Sequence, residues 1–330
     1  MLKRLFFLSL SVLLLASCGV DKKHFKVEGH LLNINQGEFY IYSENGAFQG
    51  IDTIKVEGGR FAFEMPCREP STLVLVFPNF SETPIFAEPG KKVEISGDAS
   101  HLKEMKIKGT KGNELMSSFR EQIANAAPPQ VRKYAATFVE DHPESPVGIY
   151  LVKKYIISNV NPDYKEALRL VKLMSAKQPN NGTPQLLERI LKSVNTCTVG
   201  SRLPQATFYD DHDRMVSTSD LMTGKAVICT WASWSFDSMD MIRRLKTLRN
   251  NAKGGLKVVS VNIDASRREC RQAMMRDTIP WHNICDERMF EGKAVKQLAL
   301  YSVPCIILVE NGRITARDIS INELENKLKQ

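Results

Sequence analysis

The 330-residue sequence predicts an α/β domain at its C-terminal end, preceded by an all-β, sandwich-like domain and a helical spacer. Three patterns support this order: short β-rich runs between turn residues, then apolar residues at helical spacing, then alternating strands and helices. We place these regions at 24–110, 111–197 and 198–330, after a signal peptide at 1–17 and a linker at 18–23.

The first 17 residues, MLKRLFFLSLSVLLLAS, have the pattern of a secretion signal, in which Lys3 and Arg4 precede an apolar stretch too short to span a membrane. The following Leu15-Ala16-Ser17-Cys18 resembles the bacterial lipoprotein box, which implies that Cys18 is acylated and anchors the protein to a membrane. Gly19, rather than aspartate, after that cysteine implies the outer membrane. We therefore expect a lipid-anchored protein of the cell envelope of a Gram-negative bacterium.

Residues 24–110 contain short runs rich in Val, Ile and Phe, separated by turn signals at Asn45-Gly46 and Gly58-Gly59. The runs include FKVEGHLL, GEFYIYS, DTIKVEGGRFAFEM, STLVLVF and KKVEISG. This pattern predicts an antiparallel sandwich or barrel. By pattern and position, the region resembles a small β domain of unknown function that often precedes thioredoxin-like domains in exported lipoproteins.

Residues 111–197 change to helical periodicity, and several segments begin with proline after a polar residue. The segments are NELMSSFREQIANA, PPQVRKYAATFVEDH, SPVGIYLVKKYIIS, NPDYKEALRLVKLMSAK and TPQLLERILKSVN. From residue 198, KAVICTWAS and LKVVSVNID are predicted to be buried strands and SFDSMDMIRRLKTLRNNAKGG a helix between them. CIILVENGRITAR is predicted to be a hairpin that turns at Asn311-Gly312.

Four motifs in this last region resemble the thioredoxin-like family, in its membrane-anchored thiol-disulfide oxidoreductase and peroxiredoxin-related branch. They are VGSRLPQATFYDDHDRMVSTSDLMTGKAVI, TWASW, Pro280-Trp281 and YSVPCIILVENGRI, and they occur in the family's order over about 130 residues. The resemblance implies a thioredoxin-like fold, with Pro304 as a cis-proline that faces the active-site motif.

The family's two catalytic cysteines are replaced by Ser235 and Ser238 in this sequence. In the family, the first cysteine lies at a helix N-terminus, where its thiolate attacks a substrate disulfide, and the second cysteine resolves the mixed disulfide. A serine oxygen cannot form that reversible bond, so the conventional dithiol cycle is absent. Ser235 is instead a preferred N-cap residue, and Asp237 suits the first turn of a helix.

Six cysteines remain besides Cys18, and none forms a CxxC motif; they are Cys67, Cys197, Cys229, Cys270, Cys285 and Cys305. Cys305 follows Pro304 and is expected near Ser235, while Cys229 precedes Ser235 on the central strand. If their strands are neighbours, the two thiols could approach each other beneath residues 235–238, the serine motif, and form a relocated redox pair. Both lie in apolar runs, which favours the alternative that they are core residues. Cys270 and Cys285 could be free or paired.

Other catalytic or binding motifs are scarce. Asp211-His212-Asp213 lacks further spaced ligands, so we expect a solvated turn and no metal site. No cofactor motif is present, and we expect no cofactor. The net charge of +8 comes from scattered residues without interleaved aromatics, which argues against a nucleic-acid partner.

Two main functional hypotheses remain open, and the sequence does not decide whether the protein is an enzyme. In the first, Trp231, Trp234, Phe236, Val303 and Pro304 form an apolar surface that binds an envelope protein or peptide without redox chemistry. In the second, the domain is a thiol oxidoreductase that uses Cys305, possibly with Cys229. A third possibility is that the β domain carries the function.

Overall fold

The computed structural model of the protein describes residues 20–158 and 162–329. The chain forms two compact units that divide between Asn181 and Gly182. The expected signal peptide and the lipidation site at Cys18 lie outside the described residues. Within the described ranges, no helix is both long enough and apolar enough to cross a membrane.

The first unit begins with eight strands that form one continuous sheet, which confirms the all-β prediction. Their order across the sheet is β6-β5-β2-β3-β4-β1-β7-β8, and every neighbouring pair is antiparallel except β1 with β7. The strands are β1 (His24–Leu32), β2 (Gln36–Ser43), β3 (Ile51–Glu57), β4 (Arg60–Pro66), β5 (Ser71–Val76), β6 (Glu82–Ala87), β7 (Lys92–Asp98) and β8 (Lys106–Lys108).

Side chains from all parts of this sheet meet in one shared apolar core. The Phe39 ring on β2 makes edge-on contacts with Phe61 on β4 and Phe77 after β5, with ring centroids 5.1 and 5.0 Å apart. Strands β2 and β4 are not hydrogen-bonded neighbours, yet their side chains are in contact. The sheet must therefore be curved, with the apolar side chains on its concave face. A curled single sheet therefore encloses the core.

Helices follow the sheet within the first unit. They are α1 (Lys111–Ile123), α2 (Pro128–Asp141), α3 (Val147–Leu151, which continues as a π-helical segment over Val152–Ile157) and α4 (Tyr164–Lys177). The buried Asn113 amide attaches α1 to β6, because it accepts from the Phe86 backbone N–H at 3.0 Å and donates to the Phe86 carbonyl at 2.8 Å. The Thr110 hydroxyl caps α1.

The second unit contains α5 (Gly182–Thr196), a small hairpin and a five-stranded sheet. Its strands are β9 (Thr207–Tyr209), β10 (Met215–Ser217), β11 (Lys225–Trp231), β12 (Leu256–Asn262), β13 (His282–Ile284), β14 (Cys305–Glu310) and β15 (Arg313–Arg317). Its remaining helices are α6 (Phe236–Asn251), α7 (Arg267–Asp277), α8 (Lys293–Leu298) and α9 (Ile321–Lys329). Strands β9 and β10 form the predicted hairpin before the sheet.

The sheet order β13-β12-β11-β14-β15 defines the class of this unit. Helix α6 connects the parallel strands β11 and β12, whereas β14 runs antiparallel to β11 and turns into β15 at Asn311-Gly312. A cis peptide bond joins Val303 to Pro304 immediately before β14. This arrangement is the thioredoxin-like fold, as the sequence motifs predicted.

Gly29 on β1 tests the packing of the first unit, because a Cβ atom there would lie 2.0 Å from Cζ of Phe61. We expect Gly29→Ala to lower the free energy of unfolding by about 1–3 kcal/mol, because the Phe61 ring must leave its contact with Phe39. The measurement is urea unfolding followed by far-UV circular dichroism. All three tryptophans lie after residue 181, so their fluorescence reports on the second unit alone.

Gly37→Ala on β2 is the matched control, because its added Cβ meets only Cδ1 of Ile34 at 3.4 Å. We expect this variant to be neutral or slightly more stable than the wild type, since alanine restricts the unfolded chain. Equal stabilities of the two variants would contradict the packing described for Gly29.

Candidate functional site

The candidate site begins where β11 ends and the chain turns into α6. The buried Asp264 carboxylate holds this turn, since it accepts from the Ser233 backbone N–H at 2.9 Å and from Asn262 Nδ2 at 3.0 Å. The Ile263 backbone N–H donates to the Trp231 carbonyl at 3.0 Å. The end of β12 therefore fixes the loop that carries the serine motif.

Ser235 is the N-cap residue of α6, and its hydroxyl accepts from the Ser238 backbone N–H at 3.2 Å. The hydroxyl of Ser238 is itself buried and has no hydrogen-bond partner among the described residues. The two serines thus have different roles. Ser235 begins the helix, whereas the Ser238 hydroxyl makes no polar contribution to stability.

The loop that contains the cis Val303–Pro304 peptide bond lies at the end of the sheet where β11 ends. Thr230 pairs with Cys305 across the antiparallel strands, and the Thr230 hydroxyl donates to the Ser302 carbonyl at 2.6 Å. Val303 and Pro304 are partly exposed and take no part in the pairing of β14 with β11. The backbone of Val303 and Pro304 therefore lies just before β14, beside the start of α6, and is not paired with β11.

Two large aromatic side chains are exposed around Ser235: Trp234 is 64% exposed and Phe236 is 84% exposed. Trp231, which the sequence analysis placed on the same surface, is instead fully buried, and its indole N–H donates to Asn283 Oδ1 at 2.7 Å. That part of the prediction was wrong. Trp231 belongs to a strand packed on both faces, and its side chain points into the core.

Cys229 and Cys305 do not approach each other as a pair. Cys305 lies opposite Thr230, and Cys229 lies opposite Ile306. Because successive side chains of a strand point to opposite faces, this register places the two thiols on opposite sides of the sheet. The alternative that they meet beneath the serine motif is therefore wrong, and the favoured prediction that both are core residues is confirmed.

Neither of these thiols is activated. Both are buried, and burial raises the pKa of Cys229 to about 12. Burial, followed by the adjacent Asp318 carboxylate, raises the pKa of Cys305 far above its ordinary value, and its Sγ donates to Asp318 Oδ1 at 3.0 Å. A thiol rather than a thiolate is a poor nucleophile, so this geometry does not favour attack on a disulfide.

In the turn between β9 and β10, His212 and Asp213 are exposed as expected, whereas Asp211 is buried rather than solvated. The preceding Asp210 is also buried. Asp210 Oδ2 lies 2.8 Å from both His282 Nδ1 and the Arg214 guanidinium. Burial alone would raise the pKa of Asp210, but hydrogen bonds from His282 and Arg214 hold it well below its ordinary range. In the described part of the chain, no three metal-ligating side chains cluster.

A groove of about 670 Å³ lies at the opposite end of β12 from the serine motif. Its walls include Trp281, His282, Arg214 and Lys257. No residue of the loop 232–236 lines it, so the groove is separate from the exposed aromatic side chains.

A buried hydrogen-bond network that joins β11, β12 and β13 was not predicted from the sequence. The Asn283 Oδ1 atom accepts from Trp231 Nε1 and from the Ser260 hydroxyl, each at 2.7 Å, and Ser260 accepts from Trp281 Nε1 at 3.0 Å. Polar residues inside otherwise apolar strands were the only sequence signal for it. A buried network of this kind fixes the orientation of its side chains when every donor and acceptor in it has a hydrogen-bond partner.

Residues 25–116 match the family model of a domain of unknown function, DUF4369. No curated protein matches the chain.

Several solved structures are similar to the chain. A thiol-disulfide oxidoreductase from Bacteroides fragilis is 26% identical, with 39% of this chain and 98% of that one covered and a TM-score of 0.36. The thioredoxin domain of a thiol-disulfide oxidoreductase from Bacteroides vulgatus is 21% identical, with 40% and 96% covered and a TM-score of 0.36. A thioredoxin-like protein from Bacteroides caccae is 14% identical, with 64% and 87% covered and a TM-score of 0.45. The fold assignment itself rests on the strand order and the cis-proline of this chain.

The roles of the two serines can be separated by substitution. We expect Ser235→Ala to lower the free energy of unfolding by about 1 kcal/mol, because α6 loses its cap. We expect Ser238→Ala to be neutral or stabilising, because it removes a buried hydroxyl that has no partner. Urea unfolding followed by tryptophan fluorescence measures both effects, and a larger loss for Ser238→Ala would contradict these roles.

The low pKa of Asp210 predicts a pH-dependent contribution to stability. The carboxylate stabilises the fold at pH values above its unfolded pKa, about 3.9, and this contribution is lost as pH falls towards the lower folded pKa. We expect Asp210→Asn to cost on the order of 2 kcal/mol at pH 7 and clearly less at pH 3. Urea unfolding at the two pH values measures the difference, and an equal cost at both would contradict the ionic role.

Proposed function

We propose that the protein is an envelope lipoprotein whose thioredoxin-like domain binds an extended peptide or protein segment without dithiol chemistry. The observation that carries this proposal is the exposure of Trp234 and Phe236 on either side of the N-cap Ser235. Clustered exposed aromatic side chains are uncommon on soluble domains unless they meet a partner.

The geometry around Ser235 supports binding to an extended partner. A peptide strand could pair with the backbone at Val303 while its side chains contact Trp234 and Phe236. The aromatic rings would provide most of the binding energy, because large aromatic residues dominate interface hot spots. The cis-proline loop would set the direction of the bound strand.

The anchoring proposal rests on residues 1–19. A multiply acylated Cys18 would attach the protein stably to the membrane, with the outer membrane expected from Gly19. Such an anchor would hold the peptide-binding domain in the cell envelope, where the partner would be an envelope protein or peptide.

The alternative function, a thiol oxidoreductase built on Cys305 with Cys229, has less support. The two thiols lie on opposite faces of the sheet, and each is buried with a raised pKa. A Cys305→Ser variant that retained any measured disulfide-exchange activity would exclude Cys305 from that role.

Peptide display on the purified protein tests the binding proposal. Peptides selected from a random library should bind Trp234→Ala and Phe236→Ala at least tenfold more weakly than the wild type, which corresponds to about 1.4 kcal/mol for each ring. Both side chains are exposed, so neither substitution should alter the stability of the fold. Fluorescence polarisation of a labelled selected peptide measures the affinities.

Tyr209→Ala is the matched control, because Tyr209 is an exposed aromatic residue of the same unit, on β9. Its affinity should equal that of the wild type. Undiminished binding by the double variant Trp234→Ala, Phe236→Ala would remove the proposal.

A further inference from the structure

The groove at the opposite end of β12 from the serine motif opens where strand pairing stops. Strand β12 pairs with β13 only over Val259–Val261, so Leu256–Val258 have no strand partner on that side within the described sheet. The segment that leads into β13 contains Pro280, which has no backbone N–H and cannot continue the ladder. Both unpaired segments line the groove. The groove is therefore a consequence of the short β12–β13 pairing.

The backbone edge of β12 forms one wall of the groove. Four consecutive residues, Leu256 to Val259, line it. Because successive side chains of a strand point to opposite faces, an unbroken run in the lining means that the edge of the strand faces the groove. Strand β12 is paired with β11 along its whole length on the other side. This wall is therefore part of the sheet, and its position does not depend on a ligand.

The groove is large enough for one small organic molecule. Its volume is about 670 Å³, and pockets that hold such molecules have volumes of roughly 300–1,000 Å³. Apolar side chains from several elements line it; they include Val216, Leu221, Met274, Ile279 and Trp281. Because these side chains exclude water, they favour a ligand with an apolar or aromatic body.

The charged side chains of the groove favour an anion. Three permanent cations, Arg214, Arg249 and Lys257, line it against one carboxylate, that of Asp220. Arg214 is paired with the buried Asp210 at 2.8 Å, whereas Arg249 and Lys257 form no ion pair within the described ranges. An excess of positive charge remains after both carboxylates are counted, so the groove attracts negatively charged molecules.

Hydrogen bonds already position the ammonium group of Lys257. Its Nζ donates to the Asp220 backbone carbonyl at 2.7 Å and to the Thr223 hydroxyl at 2.9 Å. An ammonium group has three N–H donors, so one remains for a ligand. A cation that the protein has oriented in advance loses less conformational freedom when it binds a carboxylate.

We propose that this groove is a second binding site, which takes a small organic carboxylate with an aromatic or branched apolar body. The carboxylate accepts from the Lys257 ammonium, Arg249 adds to the positive field, and the apolar body packs beside Ile279 and Trp281. The site is independent of the proposed peptide binding around Ser235, so either proposal can fail without the other.

Equilibrium dialysis of the purified protein with 2-naphthoate tests the proposal, and 2-naphthamide is the neutral control. The amide keeps the ring system and removes the negative charge. We expect saturable binding of 2-naphthoate and about tenfold weaker binding of the amide, because a hydrogen bond to a charged group is lost. Equal affinities, or no saturable binding of 2-naphthoate up to its solubility limit, would overturn the proposal.

The three tryptophans report where the probe binds. Trp281 lines the groove, Trp231 is buried in the core, and Trp234 is exposed beside Ser235. In NMR spectra of protein labelled with ¹⁵N-tryptophan, saturating 2-naphthoate should shift the Trp281 indole signal and leave the Trp234 signal in place. The variants Trp234→Phe and Trp281→Phe assign the two signals. A shift of the Trp234 signal alone would place the probe at the other site and overturn the proposal.

Charge variants identify the residues that hold the carboxylate. Lys257→Met, which keeps an apolar stem, should weaken 2-naphthoate binding about tenfold, and Arg249→Gln should weaken it about threefold. Neither variant should change the affinity for 2-naphthamide. If Trp281→Phe fails to fold, these two variants still decide whether the groove is the site.

Arg268→Gln is the matched control, because Arg268 is an exposed arginine of the same unit that does not line the groove. Its affinity for 2-naphthoate should equal that of the wild type. Undiminished binding by the double variant Lys257→Met, Arg249→Gln would overturn the proposal, whatever the outcome of the peptide-binding test.

Discussion

The antiparallel register between β11 and β14 determines the arrangement of the candidate site. Thr230 opposite Cys305 places the Val303–Pro304 loop at the end of β11, beside the turn that leads to Ser235. The same register places Cys229 and Cys305 on opposite faces of the sheet. Because strand side chains alternate, a shift of one residue would exchange the inner and outer faces of β14. One pairing thus positions the loop and separates the two thiols.

The network centred on Asn283 connects the end of β11 with the rest of the core. Its amide contacts Trp231, Ser260 and Cys270 at once, so three elements share one buried polar group. Leaving any one of these polar groups without a partner would carry the full cost of desolvating it. The network therefore explains why Trp231 is directed inward, although the neighbouring Trp234 is exposed.

Local sequence patterns were sufficient for the order of strands and helices and for the cap at Ser235. The Asn311-Gly312 hairpin and the capped start of α6 depend on residues close in sequence, so turn and cap preferences predicted them correctly. The separation of Cys229 from Cys305 depends on strand pairing across more than 70 residues, and the orientation of Trp231 depends on its hydrogen bond to Asn283, 52 residues away. The burial of Cys270 and Cys285 in one core cluster likewise depends on long-range packing, which no spacing rule encodes. Local preference thus identified the elements, whereas long-range packing decided which side chains meet.

Serine at position 235 serves the structure of the helix start without supplying a thiol. Serine caps a helix well, so Ser235 preserves the start of α6 and the shape of the loop without a thiol. Trp234 and Phe236 remain exposed on either side of Ser235, as the proposed binding of an extended segment requires.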